Sequence, residues 1–327
     1  MSFVFYDYKE ESMKQRAEEI KHELSEKILS EGGKCLLLVD PTLKFMCEEN
    51  ELWNRMIEGN VCQVSFDHPE LFGVLELWLI PVNLNYKEDI DFLYLSVDVA
   101  LNEINPDALE KGKGRFICGW LSSPGNIKYI VEHISSIAIQ KVAGEGEFLL
   151  RFFDAAIIGL VLNVLDEWQQ SRLLGSIQRW YYIDGDGKLS SKKGSYTYSQ
   201  QMSYSLSLNP QAWKLIQQIP KINSVLRRYR KEYQYQERFS EHKACLMLLT
   251  AFHSTPEGLL FNDDDSILFG MHTLTKHPFF YRHKVIENIF HKMKRDKNAS
   301  YCLLVDKITS DDWNVIINEC PSGKISK

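Results

Sequence analysis

Residues 147–182 constrain the fold of this chain more than any other segment, because they combine a buried strand, a helix and a second strand. Residues 148–153 are apolar on both faces except for Arg151, a pattern typical of a central strand that is covered on both sides. Asp154 stands where a helix N-cap belongs, and apolar residues then recur at helical spacing up to Trp168. The segment predicts an α/β fold with a mixed or mostly parallel sheet flanked by helices.

The composition is that of an ordinary globular protein, with 44% apolar and 25% charged residues in a chain of 327. No stretch approaches the roughly 18 uninterrupted apolar residues of a membrane helix. The N-terminal sequence lacks the basic region and apolar core of a secretory signal. The seven cysteines are scattered and form no CxxC pair, which favours reduced thiols. We therefore expect a cytoplasmic protein without membrane insertion.

The chain is expected to form two lobes. Residues 1–190 alternate strand and helix patterns, residues 191–208 are rich in Ser, Tyr and Gln and predict a connecting loop, and residues 209–327 are mainly helical in pattern. Residues 195–327 contain 18 Lys and Arg against 13 Asp and Glu, whereas the rest of the chain contains 20 against 31. Lobes of opposite charge attract one another or meet differently charged partners.

Apolar patterns give the elements of the first lobe. Strands are predicted at 35–39, 61–66, 74–82, 92–96, 115–121 and 176–183, and helices at 8–31, 42–57, 98–110 and 124–140. Asp184-Gly185-Asp186-Gly187 then predicts a hairpin turn. A calcium-binding EF-hand loop beginning at Asp184 would need a glutamate at its twelfth position, where Ser195 stands.

No complete catalytic motif occurs in the sequence. The phosphate loop, the serine nucleophile elbow and the HExxH zinc motif are all missing. Histidines are numerous in the second lobe, which leaves open an alternative: a hydrolase with a histidine-based site that includes His242, His253 and His277. The leading interpretation assigns no catalytic residue, no metal ligand and no cofactor.

A helix of the second lobe carries the strongest basic run, Arg227-Arg228-Tyr229-Arg230-Lys231. Basic residues interleaved with aromatic ones can form a protein-binding face or follow a nucleic-acid backbone. The acidic chain as a whole makes a nucleic-acid-binding regulator the weaker alternative. The candidate partner-binding residues are Trp213, Arg227, Arg228, Tyr229, Arg230, Lys231 and Tyr233.

Arg151 needs a partner if it lies inside an apolar strand, because an unpaired buried guanidinium is costly. Asp40, Asp154 and Asp166 are the candidate carboxylates. We expect a structural ion pair formed by Arg151 with Asp154 or Asp40, so that loss of Arg151 destabilises the first lobe by on the order of 3 kcal/mol.

Three segments of the first lobe resemble the type VI secretion effector chaperones, which are adaptor proteins encoded beside spike proteins. The matching positions are Leu150-Arg151-Phe152-Phe153-Asp154 with Gln169 or Gln170, Leu174-Gly175 and Trp180, CLLLVDPTL at 35–43 with Asp40, and CGWLSSP at 118–124. The chain departs from the family in one place, because Ala155-Ala156 stands where the family has Pro-Arg after the aspartate.

The resemblance implies a bacterial cytoplasmic chaperone or adaptor that binds a secreted toxic effector and helps load it onto the tip of a VgrG-type spike. The α/β lobe would carry the shared fold, and the helical lobe at 209–327 would help select the cargo. Its partners would be proteins alone, with no nucleic acid, and binding would replace catalysis.

Overall fold

The computed structural model describes residues 3–46, 51–105, 109, 114–123, 125–194, 203–234, 236–256, 258–259, 262–296 and 298–320. The chain divides into two compact units, Met1–Leu208 and Asn209–Lys327. The first combines a sheet with helices and the second is helical, so the predicted fold class is confirmed. The second unit begins where the sequence predicts the helical lobe to begin.

The first unit begins with a long helix and alternates strands with helices. Its elements are α1 (Phe3–Ser30), β1 (Lys34–Val39), a 3-10 turn (Pro41–Met46), α2 (Glu51–Glu58), β2 (Cys62–Ser65), β3 (Glu76–Asn83), α3 (Lys87–Asn102), β4 (Ile117–Ser122), α4 (Ile127–Ile137), β5 (Ile139–Val142), β6 (Gly146–Leu149), α5 (Ile158–Val164), α6 (Glu167–Leu174), β7 (Arg179–Ile183) and β8 (Leu189–Lys193). Since β8 includes residues 191–193, the predicted connecting loop at 191–208 is partly a strand.

Among the described residues, six strands form one sheet in the order β2-β3-β1-β4-β7-β8, and every neighbouring pair is antiparallel. The prediction of a mixed or mostly parallel sheet is therefore wrong. It depended on strands that are apolar on both faces, and that pattern reports only that both faces are covered. An antiparallel sheet has the same pattern when helices pack on both of its sides.

Side chains from other parts of the first unit cover both faces of this sheet. On one face Leu37 of β1 and Trp120 of β4 belong to a single buried cluster with Leu24 of α1. On the other face the ring of Phe152 meets that of Trp180 in β7, with 5.7 Å between the ring centroids. The central strands β1, β4 and β7 are thus largely buried on both sides, whereas no residue of the edge strand β8 is fully buried.

The edges of the sheet are β2 and β8. Lys192 and Lys193 end the β8 strand. Charged side chains on an edge strand oppose the addition of a further strand. The hairpin of β5 and β6 forms a separate two-stranded sheet.

The predicted central strand at 148–153 is wrong. Only Phe148 and Leu149 pair, in the β5–β6 hairpin, and the chain then turns, with the Asp154 amide N–H donating to the Arg151 carbonyl at 3.1 Å. Phe152 and Phe153 are both fully buried, because a turn can direct consecutive side chains inward whereas a strand alternates them.

Asp154 does not cap a helix. Its carboxylate accepts a hydrogen bond from the Ala156 amide at 2.8 Å, and α5 begins only at Ile158. The predicted amphipathic helix is split, because Asp166 and Gln169 form a capping box that starts α6. A short polar side chain followed by helical apolar spacing therefore indicated the right class of element at the wrong residue.

The predicted strand at 92–96 is also wrong, since these residues lie in the middle of α3. Phe92, Leu93, Ser96 and Val97 are all buried, at spacings that place them on one face of a helix. A short apolar run cannot by itself distinguish a buried helix from a strand.

The second unit packs around Phe269. Its elements are α7 (Pro210–Glu232), α8 (Glu241–Ser254), α9 (Asp263–Thr275), a 3-10 turn (Phe280–Arg282), α10 (Lys284–Arg295), α11 (Tyr301–Val305) and α12 (Ser310–Glu319). The Phe269 ring lies 5.4 Å from those of Phe252 and Phe280 and 5.7 Å from that of Tyr301. The first helix, α7, continues through Pro220, although a proline inside a helix removes one backbone hydrogen bond.

Gly119 in β4 is expected to tolerate no side chain. It has a φ of +146°, and an added Cβ would lie 2.4 Å from the Tyr181 carbonyl oxygen and 2.6 Å from Trp180 Nε1. Backbone strain and overlap with neighbours add, so Gly119→Ala should lower the free energy of unfolding by about 3 kcal/mol or more. Urea unfolding followed by circular dichroism measures the loss.

Gly144→Ala is the matched control for backbone strain alone. Gly144 also has a positive φ of +84°, but nothing lies within 4 Å of its Cβ position. Its substitution should cost about 1 kcal/mol. Equal losses in the two variants would contradict the steric part of the argument for Gly119.

Candidate functional site

An aromatic groove opens beside β2 and β3 in the first unit. Its volume is about 550 Å³. Most of its lining side chains are aromatic or aliphatic, and they are Pro41, Thr42, Trp53, Ser65, Phe66, Phe72, Gly73, Val74, Leu75, Glu76 and Trp78. A concave apolar surface of this size can hold side chains of a peptide or a small ligand.

The loop between β2 and β3 forms the exposed rim of the aromatic groove. The amides of Leu71 and Phe72 both donate to the His68 carbonyl, at 3.0 and 3.1 Å, and those of Val74 and Leu75 both donate to the Leu71 carbonyl at 3.0 Å. These tight turns leave Phe72 82% and Val74 69% exposed. Large apolar side chains exposed side by side mark an interaction surface more often than a solvated loop.

Two tryptophans form the wall opposite the rim. Trp53 of α2 stacks on Trp78 of β3, with 5.2 Å between ring centroids and 21° between ring planes. The Trp78 indole N–H donates to the Glu76 carboxylate at 2.9 Å. Stacking and this hydrogen bond fix both rings in place, and rigid tryptophans are frequent anchors of protein interfaces.

The aromatic groove adjoins a set of charged residues. The Phe66 ring, which lines the groove, lies 5.9 Å from that of Phe153. The Arg151 guanidinium lies over the Phe153 ring at 5.3 Å, and its Nη2 is 3.0 Å from Oδ2 of Asp40. The charged cluster that begins here comprises Asp40, Glu103, Arg115, Arg151 and Asp154.

Asp40 is the buried carboxylate that pairs with Arg151. It is 1% exposed, and its second carboxylate oxygen accepts from the Thr42 amide at 3.1 Å and from the Thr42 hydroxyl. The Arg151 side chain itself remains 38% exposed, so it is not buried as the sequence predicts. Of the three predicted partners, the structure pairs Arg151 with Asp40, while Asp166 caps α6.

Asp154 lies close enough to share the electrostatic field of the cluster. Desolvation raises the pKa of the Asp154 carboxyl, and the Ala156 amide and the charges of Arg115 and Arg151 act against that rise. Asp154 is therefore part of the charged cluster without a direct ion pair to Arg151.

Glu103, at the end of α3, is a buried carboxyl group that ties a helix to a strand. It is 3% exposed, and its two oxygens accept from the amides of Phe116 at 2.8 Å and Ile117 at 3.0 Å. Burial raises its pKa to about 7, although these two amides and Arg115 favour the ionised form. Near neutral pH the Glu103 carboxyl is therefore partly protonated.

Arg115 joins this cluster to the end of β7. Its Nη1 donates to the Ile183 carbonyl at 2.8 Å, and the residue is 3% exposed. Because neighbouring strands are antiparallel, the end of β1, the start of β4 and the end of β7 meet at one end of the sheet. The charged cluster stabilises that end and sets the position of the turn at Pro41 and Thr42, which lines the groove.

The aromatic groove is suited to binding. Two of its polar groups are already engaged, since the Thr42 hydroxyl donates to Asp40 and the Glu76 carboxylate accepts from Trp78. What it offers a ligand is chiefly rigid aromatic area, which provides affinity without chemical transformation. Within the described ranges, no group of three or more His, Cys, Asp or Glu side chains is arranged to hold a metal ion.

The predicted basic face of the second unit is partly internal. Tyr229 and Arg230 are 4% and 5% exposed; the Tyr229 hydroxyl accepts from the Phe239 amide at 3.1 Å, and Arg230 pairs with Glu241. Burial of these two residues, which attach α7 to the start of α8, argues against their predicted contact with a partner. Sequence shows the charge of a helical residue but not which way it points.

The remaining predicted residues of this face are reached by solvent. Arg228 is exposed and pairs with Glu232 along the helix, and the Tyr233 ring packs at 5.1 Å from that of Tyr229. Trp213, Arg227 and Lys231 are half-buried. The basic residues therefore form separate groups instead of a continuous positive stripe, which weakens the case that this helix binds a nucleic-acid backbone.

The histidines of the alternative hydrolase hypothesis lie apart along the second unit. His242 and His253 are exposed at opposite ends of α8, roughly 16 Å apart at 1.5 Å per residue. His277 follows α9, and its Nδ1 accepts from the Phe279 amide at 3.2 Å. The structure does not assemble His242 and His253 into one site.

The sequence did not identify the groove residues or Glu103 as parts of a site. Phe72, Val74, Trp53 and Trp78 have no motif, and their alternation with apolar neighbours is typical of core residues. Glu103 follows an apolar run near a helix end, and only the fold shows that two amides of β4 face it. What distinguishes these residues is their solvent exposure, which a single sequence does not display.

Comparisons of the chain with protein-family models, with curated proteins and with solved structures find no match. The resemblance carried by residues 150–154 and 118–124 therefore stays a prediction. Among the described residues, no helix is both long and apolar enough to cross a membrane.

Arg151→Ala should lower the free energy of unfolding by about 1–2 kcal/mol. The change leaves the buried Asp40 carboxylate with only its Thr42 donors, but the exposed part of the Arg151 side chain is screened by solvent, so the loss is smaller than for a fully buried pair. Arg228→Ala, which removes an exposed pair within α7, is the control and should cost less than about 0.5 kcal/mol. Equal losses would show that Asp40 does not depend on Arg151.

Glu103→Gln should change how stability depends on pH. The folded pKa of about 7 lies above the unfolded value of 4.5, so the folded chain binds more protons between these values, and the contribution of Glu103 to stability falls as pH rises from 4.5 to 7. Relative to wild type, the variant should gain on the order of 1–3 kcal/mol between pH 5 and pH 7.5.

Urea unfolding at the two pH values measures this gain. Glu70→Gln, at an exposed position of the groove rim, is the control and should track wild type. A difference between Glu103→Gln and wild type that stays constant with pH would contradict the assignment.

Proposed function

We propose that this chain is a cytoplasmic adaptor of bacterial type VI secretion, which binds a secreted effector and helps load it onto a VgrG-type spike without catalysing a reaction. The aromatic groove, with Phe72 and Val74 exposed at its rim, is the observation that carries the proposal. An adaptor needs a rigid, partly apolar surface on a stable scaffold, and the groove lies on a sheet whose central strands are buried on both faces.

The groove suits a protein partner better than a small ligand. Its rim is open, and Phe72 extends into solvent with 82% of its surface exposed, whereas small-molecule sites usually enclose most of the ligand. The stacked Trp53 and Trp78 are preorganised, so a partner would bind them without much loss of side-chain freedom. An extended segment with one or two large apolar side chains would fit this surface.

The charge around the groove indicates the chemistry of that segment. Glu76 lines the groove, and Asp67 and Glu70 are exposed on the rim loop. This acidic border favours a partner segment that carries Lys or Arg next to its apolar residues, since complementary charge speeds encounter and excludes acidic competitors.

The second unit is proposed to contribute to cargo selection. Residues 195–327 have an excess of basic residues, and α10 ends with exposed Lys292, Lys294 and Arg295. Trp213, Arg227, Arg228, Lys231 and Tyr233 remain candidate contacts. A basic surface would attract an acidic effector, while the acidic first unit would meet a basic segment of the other partner.

Substitution of the groove rim should remove partner binding and leave the fold intact. The chain is co-expressed with the effector and spike protein encoded beside it, and the complex is recovered through a tag on the chain. Phe72→Asp combined with Val74→Asp should reduce the recovered effector or spike at least tenfold, because a buried carboxylate would face an apolar partner. Both side chains are exposed, so the melting temperature should change little.

Tyr86→Asp is the matched control, since Tyr86 is 61% exposed in the first unit but does not line the groove. It should retain wild-type binding. Recovery of no effector or spike with the wild-type chain would reject the secretion proposal. Full recovery with the rim variant would reject the groove as the binding site while leaving the function open to another surface.

A further inference from the structure

Residues 203–206, which we call the strap, pack on the first unit shortly before the second unit begins. The strap has the sequence Ser-Tyr-Ser-Leu and lies outside any helix or strand. It contacts three elements, namely α4, β5 and α6. Its own peptide groups make most of these contacts, so it is bound in the way that a peptide ligand is bound.

Gln140 of β5 recognises the backbone of the strap. Its amide nitrogen donates to the Tyr204 carbonyl at 3.0 Å, and its amide oxygen accepts from the Leu206 amide at 2.8 Å. A neighbouring strand contacts the same two groups of an extended chain, a carbonyl and the amide two residues later. Gln140 is 1% exposed, so its side-chain amide needs such a partner to remain satisfied.

Two residues of α6 extend this recognition. Gln169, which is 5% exposed, donates to the Leu206 carbonyl at 3.0 Å. Arg172 donates through Nε to the Ser205 carbonyl at 2.9 Å and through Nη2 to the Ser203 carbonyl. Every carbonyl of the strap thus accepts a hydrogen bond from a side chain of the first unit.

Side chains of the strap supply the selective contacts. Leu206 is fully buried. The Tyr204 ring lies 5.8 Å from the His133 ring of α4, and its hydroxyl donates to Glu132 at 3.4 Å. The site therefore selects an aromatic residue followed two positions later by leucine, whereas the intervening Ser205 is recognised only through its backbone.

We infer that Gln140, Gln169 and Arg172 form a peptide-binding groove, that the strap is its internal ligand, and that an extended partner segment with leucine two residues after an aromatic residue can replace it. Exchange for a similar peptide keeps both buried glutamine amides fully satisfied, whereas simple release would remove the partner of the Gln140 amide oxygen and that of the Gln169 amide nitrogen. Backbone recognition also tolerates different sequences between the two selective positions. The inference does not depend on the secretion proposal, because it rests on a different surface.

Displacement would lengthen the connection between the two units. With the strap bound, only Ser207 and Leu208 separate Leu206 from Asn209, the N-cap of α7.

The test uses the full chain and a fluorescein-labelled peptide with the sequence of residues 203–208, Ser-Tyr-Ser-Leu-Ser-Leu. In wild type the strap competes at an effective concentration on the order of millimolar, so the peptide should bind weakly. Leu206→Asp places a carboxylate at a buried position and should release the strap, so that the variant binds the peptide at least tenfold more tightly by fluorescence anisotropy. Adding Gln140→Ala to this variant should abolish the gain.

The matched control is Leu303→Asp, the same change at a site in the second unit that is 64% exposed, which should bind the peptide as wild type does. A peptide with aspartate in place of the first leucine should not bind the strap-released variant. If Leu206→Asp does not unfold cooperatively, Tyr204→Ala replaces it with the same expectation. A folded variant without a gain in peptide affinity would overturn the inference, and so would a wild-type dimer that Leu206→Asp dissociates, because the occupant would then be a second copy of the chain.

Discussion

Burial of both faces of the six-stranded sheet is the constraint on which the rest of the first unit depends. Strands such as β1 and β4 have no polar face, so each side of the sheet must be covered. Polar side chains can then be placed only at the ends of these strands. Antiparallel pairing brings the end of β1 and the start of β4 to the same end. Asp40 and Arg115 lie there, together with Glu103 from the helix that covers this part of the sheet.

The charged cluster shows how polar groups can be buried at such a place. Glu103 accepts hydrogen bonds from the amides of Phe116 and Ile117, and Asp40 accepts hydrogen bonds from Thr42 and Arg151. Neither carboxylate therefore depends on a single ion pair. Direct hydrogen bonds to fixed amides lose less entropy than contacts between long side chains. The same arrangement fixes Pro41 and Thr42, and through them one side of the aromatic groove. The stability of this end of the sheet and the shape of the aromatic groove are therefore coupled.

Sequence patterns identified the elements better than their connections. The apolar runs at 35–39, 115–121 and 176–183 are strands because their β-branched and aromatic residues fit a buried sheet. Their direction depends on pairing between residues far apart in the chain, and no local pattern encodes it. The run at 92–96 is a different case: its four apolar residues, Phe92 to Leu95, fit a turn of a buried helix as well as a strand, and only the acidic residues before them favour the helix.

The candidate sites were harder to predict than the fold because they depend on exposure. Phe72 resembles a core residue in sequence, whereas Tyr229 and Arg230 resemble surface residues, and the structure reverses both expectations. Arg151 was recognised as a residue that needs a carboxylate, and Asp40 was among its candidates, but its partial exposure was not foreseen. The strap cannot be recognised from the sequence, because its contacts are made mainly by peptide groups, which are the same in every sequence.

The lysines that end β8 have a consequence for behaviour at high concentration. An antiparallel sheet with open edges can polymerise when copies join edge to edge, and such growth starts from a flat, uncharged strand. Joining two β8 strands would place the ammonium groups of Lys192 and Lys193 from both copies on one short ladder. That repulsion protects the chain from fibrillar association at this edge and leaves growth by strand addition to the short β2 edge, which has only four residues to offer.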